Sequence, residues 1–307
     1  MQNEMTLLCY ATPNFYSVRD QLILSAMRFG LSRFFVYTDQ MLKGTIFYEK
    51  NKAILEQPRG AGYWLWKPYL ISEALKRLNE GDILLYLDAG IELIETPREW
   101  IEISLANQDV ALFTGSPKDE YTLNRRWTKR DVFIYLDADT EKFWDASQVQ
   151  GGYVALRKSD DSIRFIEKWL DTCQQSGLIT DAPNRLGKPN LPEFIDHRHD
   201  QAILSVLAMK ENIPFHRLPS QEGTKGIPFF PNDTYGQIAY HHRGNQNKKF
   251  LKTHKYTLKD VSAKVFHHLK NIAKEFREVL RAIVRLPKAI YNTFFMVYLK
   301  RCRKKSL

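Results

Sequence analysis

The sequence predicts an α/β fold in which a mostly parallel central sheet carries helices on both faces. Two observations lead to this prediction. From residue 6 to residue 210, segments typical of strands alternate with segments typical of helices, which is the pattern of parallel sheets with crossover helices. In addition, the run Ile83–Leu87 is apolar throughout and ends at Asp88 on an Ala-Gly turn, so a buried strand presents a carboxylate at its carboxyl end.

Each element follows from a local pattern. Strands are predicted where short runs of β-branched, aromatic and aliphatic residues lie between turn residues, at 6–11, 33–38, 83–87, 110–113 and 149–156. The first helix, 16–29, ends at Gly30, and the second, 67–79, is entered at Pro68, where a proline costs no hydrogen bond. Later helices are predicted at 97–106, 160–173 and 199–210, and the Gly-, Pro- and Asn-rich residues 176–191 are predicted to form a loop over the site.

Two glycine-flanked segments carry the strongest functional signal. The first runs Gly60-Ala-Gly-Tyr-Trp-Leu-Trp-Lys-Pro68 and leads into a helix, so Lys67 is expected to face a phosphate together with the helix N-terminal amides. The second runs from Gly81 to Gly90 and presents Asp88 at the sheet edge where α/β proteins bind ligands. A carboxylate there can hold a hard divalent cation bound to a diphosphate.

The tetrapeptide Tyr-Leu-Asp-Ala of residues 86–89 occurs again at residues 135–138, where it continues to Asp139. Asp137 and Asp139 are therefore an alternative cation site. The second copy follows a predicted helix start, with Thr128 as its cap, and no glycine comes after it. We favour Asp88 for this reason.

The sequence His197-Arg-His-Asp-Gln201 is a dense polar block at a predicted helix start. Asp200 is the best candidate for a general base, and Gln201 beside it is the second candidate catalytic residue. The alternative is structural: His197 and His199 would cap or pack the helix start, and Arg198 would pair with a neighbouring aspartate.

Charge and composition restrict the partners and the compartment. The net charge of +10 comes wholly from residues 263–307, which hold twelve Lys or Arg residues and two Glu. A neutral body argues against a nucleic-acid enzyme. The three cysteines are far apart, which fits a reducing cytoplasm, and the chain has no signal peptide pattern and no apolar run long enough to span a bilayer.

The basic tail has the pattern of an amphipathic helix. Apolar residues recur at steps of three and four from Val265 to Leu286, basic residues lie on the other side, and Pro287 ends the pattern. An aromatic patch and a terminal basic cluster follow. We predict that residues 256–307 attach to an anionic membrane surface, while docking on the body or on a second subunit is the alternative.

Three blocks of this sequence together resemble one enzyme family. Gly62–Pro68, Tyr86–Gly90 and His197–Gln201 occur in the order found in nucleotide-sugar glycosyltransferases of the Rossmann-like GT-A fold, especially those of bacterial polysaccharide assembly. The resemblance covers about residues 5–250 and implies a catalytic domain at residues 1–255. It implies that Asp88 binds Mn²⁺ or Mg²⁺ on the donor diphosphate. The second aspartate of the family's Asp-x-Asp motif is Gly90 here.

A weaker similarity to retaining enzymes of glycosyltransferase family 8 extends these assignments. It implies that His241 or His242, in a late histidine-rich turn, joins Asp88 as a metal ligand. It also implies donor binding by residues dispersed along the chain, with the cationic side chains neutralising the departing diphosphate. The donor-binding residues are Thr12, Asp39, Lys67, Gly151, Gly152, Arg243 and Lys248.

The resulting hypothesis is a cytoplasmic glycosyltransferase held at the inner face of the membrane. Its donor would be a nucleoside diphosphate sugar, with a UDP-sugar favoured, and its acceptor a hydroxyl of a growing, lipid-linked surface glycan. If the reaction inverts, Asp200 would take the proton of the acceptor hydroxyl. If it retains configuration, Asp200 and Gln201 would instead line the reactive face of the sugar. Two alternatives from other classes remain at this point: a non-catalytic scaffold that binds sugar nucleotides or glycans, and a metal-dependent hydrolase that uses the His/Asp block.

Overall fold

Eight strands lie within residues 4–242, the part of the chain that the computed structural model describes. Their bounds are β1 (Met5–Ala11), β2 (Arg33–Thr38), β3 (Ile83–Leu87), β4 (Ile91–Leu93), β5 (Val110–Thr114), β6 (Tyr153–Arg157), β7 (Phe215–Arg217) and β8 (Ala239–His241). Six of them form one sheet in the order β2-β1-β3-β6-β5-β7, and β4 and β8 form a separate antiparallel pair. In the large sheet only β6 runs antiparallel to its neighbours, so the predicted mostly parallel sheet is confirmed.

Helices cover both faces of this sheet. On one face, α6 (Trp66–Leu75), α11 (Asp160–Cys173) and α13 (His199–Lys210) pack on alternate strand residues such as Leu84 and Leu156. On the other face, α1 (Tyr16–Arg28) and α7 (Arg98–Ser104) pack on the residues between them, such as Leu85 and Ala155. The two apolar layers explain why the central strands are apolar at nearly every position.

The remaining helical segments are short. They are α2 (Asp39–Lys43), α3 (Ile46–Lys50), α4 (Lys52–Leu55), α5 (Gly60–Tyr63), α8 (Asn124–Trp127), α9 (Arg130–Tyr135), α10 (Glu141–Trp144) and α12 (Ser176–Ile179), with 3₁₀ turns at Pro13–Phe15, Glu120–Thr122 and Gln221–Phe229.

The predicted bounds of strands and helices agree best with the structure where the local sequence pattern is strong. The strands at 33–38 and 83–87 and the helices at 160–173 and 199–210 have the predicted bounds. Ser159 and Ser162 form a capping box that fixes the start of α11. The strand predicted at 149–156 begins only at Tyr153, because Gly151 and Gly152 form a turn before it.

The segment α5 is a left-handed turn. Five consecutive residues from Gly60 to Trp64 have positive φ, and the amides of Tyr63 and Trp64 donate to carbonyls four residues back, at 2.7 and 3.2 Å. For residues other than glycine this conformation costs about 1–2 kcal/mol each. Ala61, Tyr63 and Trp64 pay that cost, so packing of the turn must offset roughly 3–6 kcal/mol.

Gly62 in this turn has no room for a side chain. A Cβ on Gly62 would lie 2.5 Å from the Cα of Leu55, which is backbone and cannot move aside. We therefore expect Gly62→Ala to lower the free energy of unfolding by about 3 kcal/mol or more, from left-handed strain and overpacking together. Gly30→Ala is the matched control, because Gly30 has a similar φ of 92° but nothing within 4 Å of its Cβ position. Urea denaturation of both variants checks this; equal losses would contradict it.

Within residues 4–242, no helix is both long enough and apolar enough to cross a membrane. Residues 243–307 lie outside the described part of the chain. The predicted amphipathic helix, the predicted boundary at residue 255 and the donor-binding residues Arg243 and Lys248 all depend on that region and stay predictions.

Candidate functional site

Predicted site residues from several elements meet at one edge of the sheet. Thr12, Asp39 and Asp88 follow β1, β2 and β3, which are parallel neighbours, so all three lie at the carboxyl edge. Because β6 is antiparallel to β3, its N-terminal end lies at the same edge, and the preceding Gly151 and Gly152 lie there too. Asp39 accepts a hydrogen bond from the hydroxyl of Tyr16 at 3.2 Å.

Asp88 is held in place through its backbone and its side chain. Its amide donates to the carbonyl of Gly152 at 3.0 Å, and the hydroxyl of Tyr86 donates to its Oδ1 at 2.5 Å. A Cβ on Gly152 would lie only 2.9 Å from Asp88 Oδ2. Glycine at position 152 therefore leaves room for the carboxylate, whose side chain is still 33% exposed.

Lys67 lies between two carboxylates. Its Nζ is 2.8 Å from Asp200 Oδ2 and 3.6 Å from Asp88 Oδ1, and its side chain is 3% exposed. Burial alone would lower the pKa of Lys67, but the charges of Asp200 and Asp88 outweigh it and the pKa is raised. Lys67 is thus a permanent ammonium. In this arrangement it contacts carboxylates, whereas the sequence predicted a phosphate contact. We refer to Lys67, Asp88 and Asp200 as the lysine–carboxylate cluster.

Asp200 and Gln201 lie in the first turn of α13, next to this cluster. Burial raises the pKa of Asp200 to about 6, although the charge of Lys67 opposes the shift. The indole of Trp169 donates to the carbonyl of Asp200 at 3.0 Å and fixes the start of the helix. Gln201 Oε1 accepts from the amide of Gly151 at 3.0 Å, and its Nε2 donates to Gln148 Oε1 at 2.9 Å. Gln148 was not among the predicted site residues, because it belongs to no motif.

The two histidines of the block have structural partners. His197 Nε2 donates to the carbonyl of Leu178 at 2.8 Å while its Nδ1 accepts from the amide of Lys129 at 3.4 Å, which fixes a neutral tautomer. His199 Nδ1 donates to the carbonyl of Ile179 at 2.7 Å. Burial lowers the pKa of both histidines. The structure thus favours the packing alternative for them over ligation or catalysis.

The main chain of His241 and His242 lies next to the turn that follows Asp88. Pairing of β8 with β4 sets His241 opposite Ile91, and the amide of His242 donates to the carbonyl of Gly90 at 3.0 Å. Even so, the described residues contain no group of three or more His, Cys, Asp or Glu side chains placed to hold a metal ion. With Asp88 Oδ1 engaged by Lys67 and Tyr86, the residues from 4 to 242 do not fit the predicted metal centre.

The alternative aspartates lie in other ion pairs. The side chain of Asp137 is 99% exposed and lies 3.3 Å from Lys210 Nζ. Asp139 accepts from Arg130 at 2.6 Å and from Lys188 at 2.8 Å, and these cations lower its pKa against the effect of burial. Neither residue belongs to the lysine–carboxylate cluster, so the second Tyr-Leu-Asp-Ala copy is built differently from the first.

The segment that leads into Asp200 is fastened by residues that the sequence did not reveal. Lys129 Nζ donates to the carbonyls of Gly177 and Ala182 at 2.7 and 2.5 Å. The carboxylate of Asp131 accepts from the amides of Arg185 and Leu186 at 2.6 and 3.1 Å. Arg59 adds ion pairs to Asp181 and Asp196. The loop predicted at 176–191 begins instead with the helix α12, and the residues after it are held by charged groups, of which Lys129 and Asp131 are buried.

No family model matches the chain, and no curated protein does either. Among solved structures, the chain is similar to mouse xyloside xylosyltransferase 1, with 13% identity, a TM-score of 0.43, and coverage of 78% of this chain and 98% of that one. It is similar to the galactosyltransferase LgtC in complex with donor and acceptor sugar analogues, with 11% identity, a TM-score of 0.45, and coverage of 85% and 100%. A third is the glycosyltransferase GlyE of Streptococcus pneumoniae, with 10% identity, a TM-score of 0.43, and coverage of 87% and 64%.

Proposed function

We propose that this protein transfers a sugar from a nucleoside diphosphate sugar, with a UDP-sugar favoured, to a hydroxyl of a growing glycan. The observation that carries the proposal is the lysine–carboxylate cluster at the carboxyl edge of the sheet. It joins all three sequence blocks that resemble glycosyltransferases: Lys67 comes from the first, Asp88 from the second and Asp200 from the third. Blocks far apart in sequence thus contribute to one site.

The residues of the site have distinct roles in this proposal. Thr12, Asp39 and the glycines before β6 surround the donor at the edge where they lie. Asp200, with a pKa of about 6, is ionised at neutral pH and able to take the proton of the acceptor hydroxyl if the reaction inverts. If the reaction retains configuration, Asp200 and Gln201 line the reactive face of the sugar. The described residues do not fit a metal centre, so side chains of the protein itself fill these roles.

A thermal-shift screen of nucleotide sugars, with and without Mn²⁺, tests this function. A donor at a hundred times its dissociation constant should stabilise the protein by about 2.7 kcal/mol. Transfer to an added glycan is then measured for each donor that stabilises. A protein that binds a nucleotide sugar but transfers it to nothing would be a scaffold, and release of free sugar as the main product would identify a hydrolase. Stabilisation by no nucleotide sugar would contradict the proposal.

We further propose that the acceptor is lipid-linked and that the tail binds the cytoplasmic membrane surface. The support is the segregation of the whole net positive charge into residues 263–307 together with their amphipathic pattern. Each basic residue near an anionic surface contributes about 1 kcal/mol within a screening length.

We expect the full chain to sediment with anionic liposomes and a chain ending at residue 258 to remain in the supernatant. Binding should weaken with salt, and insertion of aromatic residues such as Phe294 and Phe295 should leave a salt-resistant part. The truncated chain should still act on a water-soluble acceptor. If the full chain does not bind anionic liposomes, or if truncation unfolds residues 1–258, the tail packs on protein instead of lipid.

A further inference from the structure

The position of Lys67 in the lysine–carboxylate cluster has no explanation in the roles assigned so far. A lysine that only bound phosphate would reach into the open site, yet Lys67 is 3% exposed and lies closest to the buried Asp200. Lys67 Nζ and Asp200 Oδ2 both lie close to Gly151, since a Cβ built there would be 3.4 Å from the nitrogen and 3.5 Å from the oxygen. The ammonium and the carboxylate therefore lie together just before the first residue of β6.

The ammonium also affects what Asp88 can bind. Lys67 Nζ lies 3.6 Å from Asp88 Oδ1, and the hydroxyl of Tyr86 donates to the same oxygen. A divalent cation on this oxygen would therefore lie a few ångströms from a fixed positive charge that repels it. At the position where a second carboxylate would compensate, the chain has Gly90. The charge of Lys67 therefore opposes a cation beside Asp88 Oδ1.

Without the ammonium, the same carboxylates would form a different site. Both Asp88 Oδ1 and Asp200 Oδ2 point toward one nitrogen, at 3.6 and 2.8 Å, so removing that nitrogen leaves two facing carboxylates around a small space. Paired carboxylate oxygens are the ligands that Mg²⁺ and Mn²⁺ prefer. Lys67 thus occupies the place that a metal ion would take.

We propose that Lys67 is the fixed cation of this site, and that donor binding therefore needs no divalent metal. The side chain holds Asp88 and Asp200 in position and balances part of their charge, which a metal ion would otherwise do. The part of this inference that concerns the donor rests on the proposed function. The part that concerns Lys67 and its two carboxylates rests on their geometry alone.

Manganese uptake by the full chain tests the cation part directly. Protein freed of metal with a chelator is titrated with MnCl₂, and free Mn²⁺ is followed by electron paramagnetic resonance. We expect the wild-type protein to take up no Mn²⁺ at micromolar concentrations, and Lys67→Met to bind Mn²⁺ at least about tenfold more tightly than the wild-type protein, because the repelling ammonium is gone. Lys129→Met is the matched control: it removes another buried lysine, whose partners are carbonyls rather than carboxylates, and should gain no uptake.

Micromolar uptake by the wild-type protein that is lost in Asp88→Asn would overturn the proposal. This comparison does not depend on the folding of Lys67→Met, which leaves Asp200 buried without its cation.

The donor part is tested by calorimetric titration of UDP-glucose and the other donors of the screen, in chelator and in Mn²⁺. The dissociation constant should agree within about twofold, and a loss of tenfold or more in chelator would contradict the proposal. If no donor binds in either condition, the proposed function fails, while the uptake comparison still decides the role of Lys67.

Discussion

Replacing Asp88 by Asn should reduce glycosyl transfer by about a hundred- to a thousandfold and leave the protein folded. The amide oxygen can still accept the hydrogen bond from Tyr86, and the side chain is one-third exposed, so little stability depends on its charge. Catalysis depends on it more, because a preorganised charge at the reacting centre typically contributes that much to the rate. Initial rates with a saturating donor, together with far-UV circular dichroism, check both halves of this prediction.

The chain contains its own control for this variant. Asp137 occupies the same tetrapeptide, Tyr-Leu-Asp-Ala, but its side chain is 99% exposed and pairs with Lys210 on the surface. Asp137→Asn should therefore transfer sugar at close to the wild-type rate. Near-normal turnover by Asp88→Asn, with an inactive Asp137→Asn, would mean that the reaction uses the second copy of the tetrapeptide.

Replacing Asp200 by Asn should lower the turnover number by about a hundred- to ten-thousandfold while changing donor affinity little. Proton transfer by a positioned group contributes in this range, and contacts made mainly in the transition state affect the rate more than binding. The pKa of Asp200 is raised to about 6, so its ionised fraction rises as the pH increases through that value. Activity of the wild-type protein should therefore rise through pH 6 to a plateau, and the variant should lose this limb of the profile.

Asp131→Asn is the control for the loss of a buried carboxylate. Asp131 is 1% exposed but holds the amides of Arg185 and Leu186, away from the lysine–carboxylate cluster. Its variant should be less stable and keep the shape of the pH profile. If Asp200→Asn lost donor binding in parallel with activity, Asp200 would be part of donor binding or of the fold instead of the proton-transfer step.

The central strands and the position of Asp88 could be predicted because their signals are local. An apolar run followed by Asp-Ala-Gly specifies a buried strand and a turn within eight residues, and β3 has the predicted bounds. The same holds for α11, whose apolar stripe and serine cap lie in one segment. Short elements such as β4 and β8 could not be predicted, because a three-residue strand depends on its partner across the sheet.

The antiparallel direction of β6 is also tertiary information. Its apolar run resembles that of a parallel strand, and only the chain that precedes it decides from which edge it enters the sheet. That direction matters for the site, because it brings Gly151 and Gly152 to the edge with Asp88. The two glycines were predicted from a family resemblance, and their place beside Asp88 has a physical reason that only the structure supplies.

The contact between Lys67 and Asp200 was the main feature of the site that could not be predicted from the sequence. The motif placed Lys67 at a helix start, where a phosphate contact is the natural expectation. Its closest partner, Asp200, comes from a block far along the chain, and nothing in either segment indicates that the two side chains meet. Gln148 was missed for a related reason: its role comes entirely from its contact with Gln201.

The fastening of residues 180–198 has a thermodynamic consequence for substrate binding. Ordering a flexible backbone costs about 1–2 kcal/mol per residue, and this cost lowers the affinity of any loop that becomes ordered only when its ligand binds. Lys129, Asp131 and Arg59 already hold this segment, so it is ordered when the protein folds, before any substrate binds. Calorimetry of donor binding should then show the small heat-capacity change of a preformed surface, without the large negative change of coupled folding and binding. The segment that leads into Asp200 would then keep one conformation in the free and the donor-bound protein.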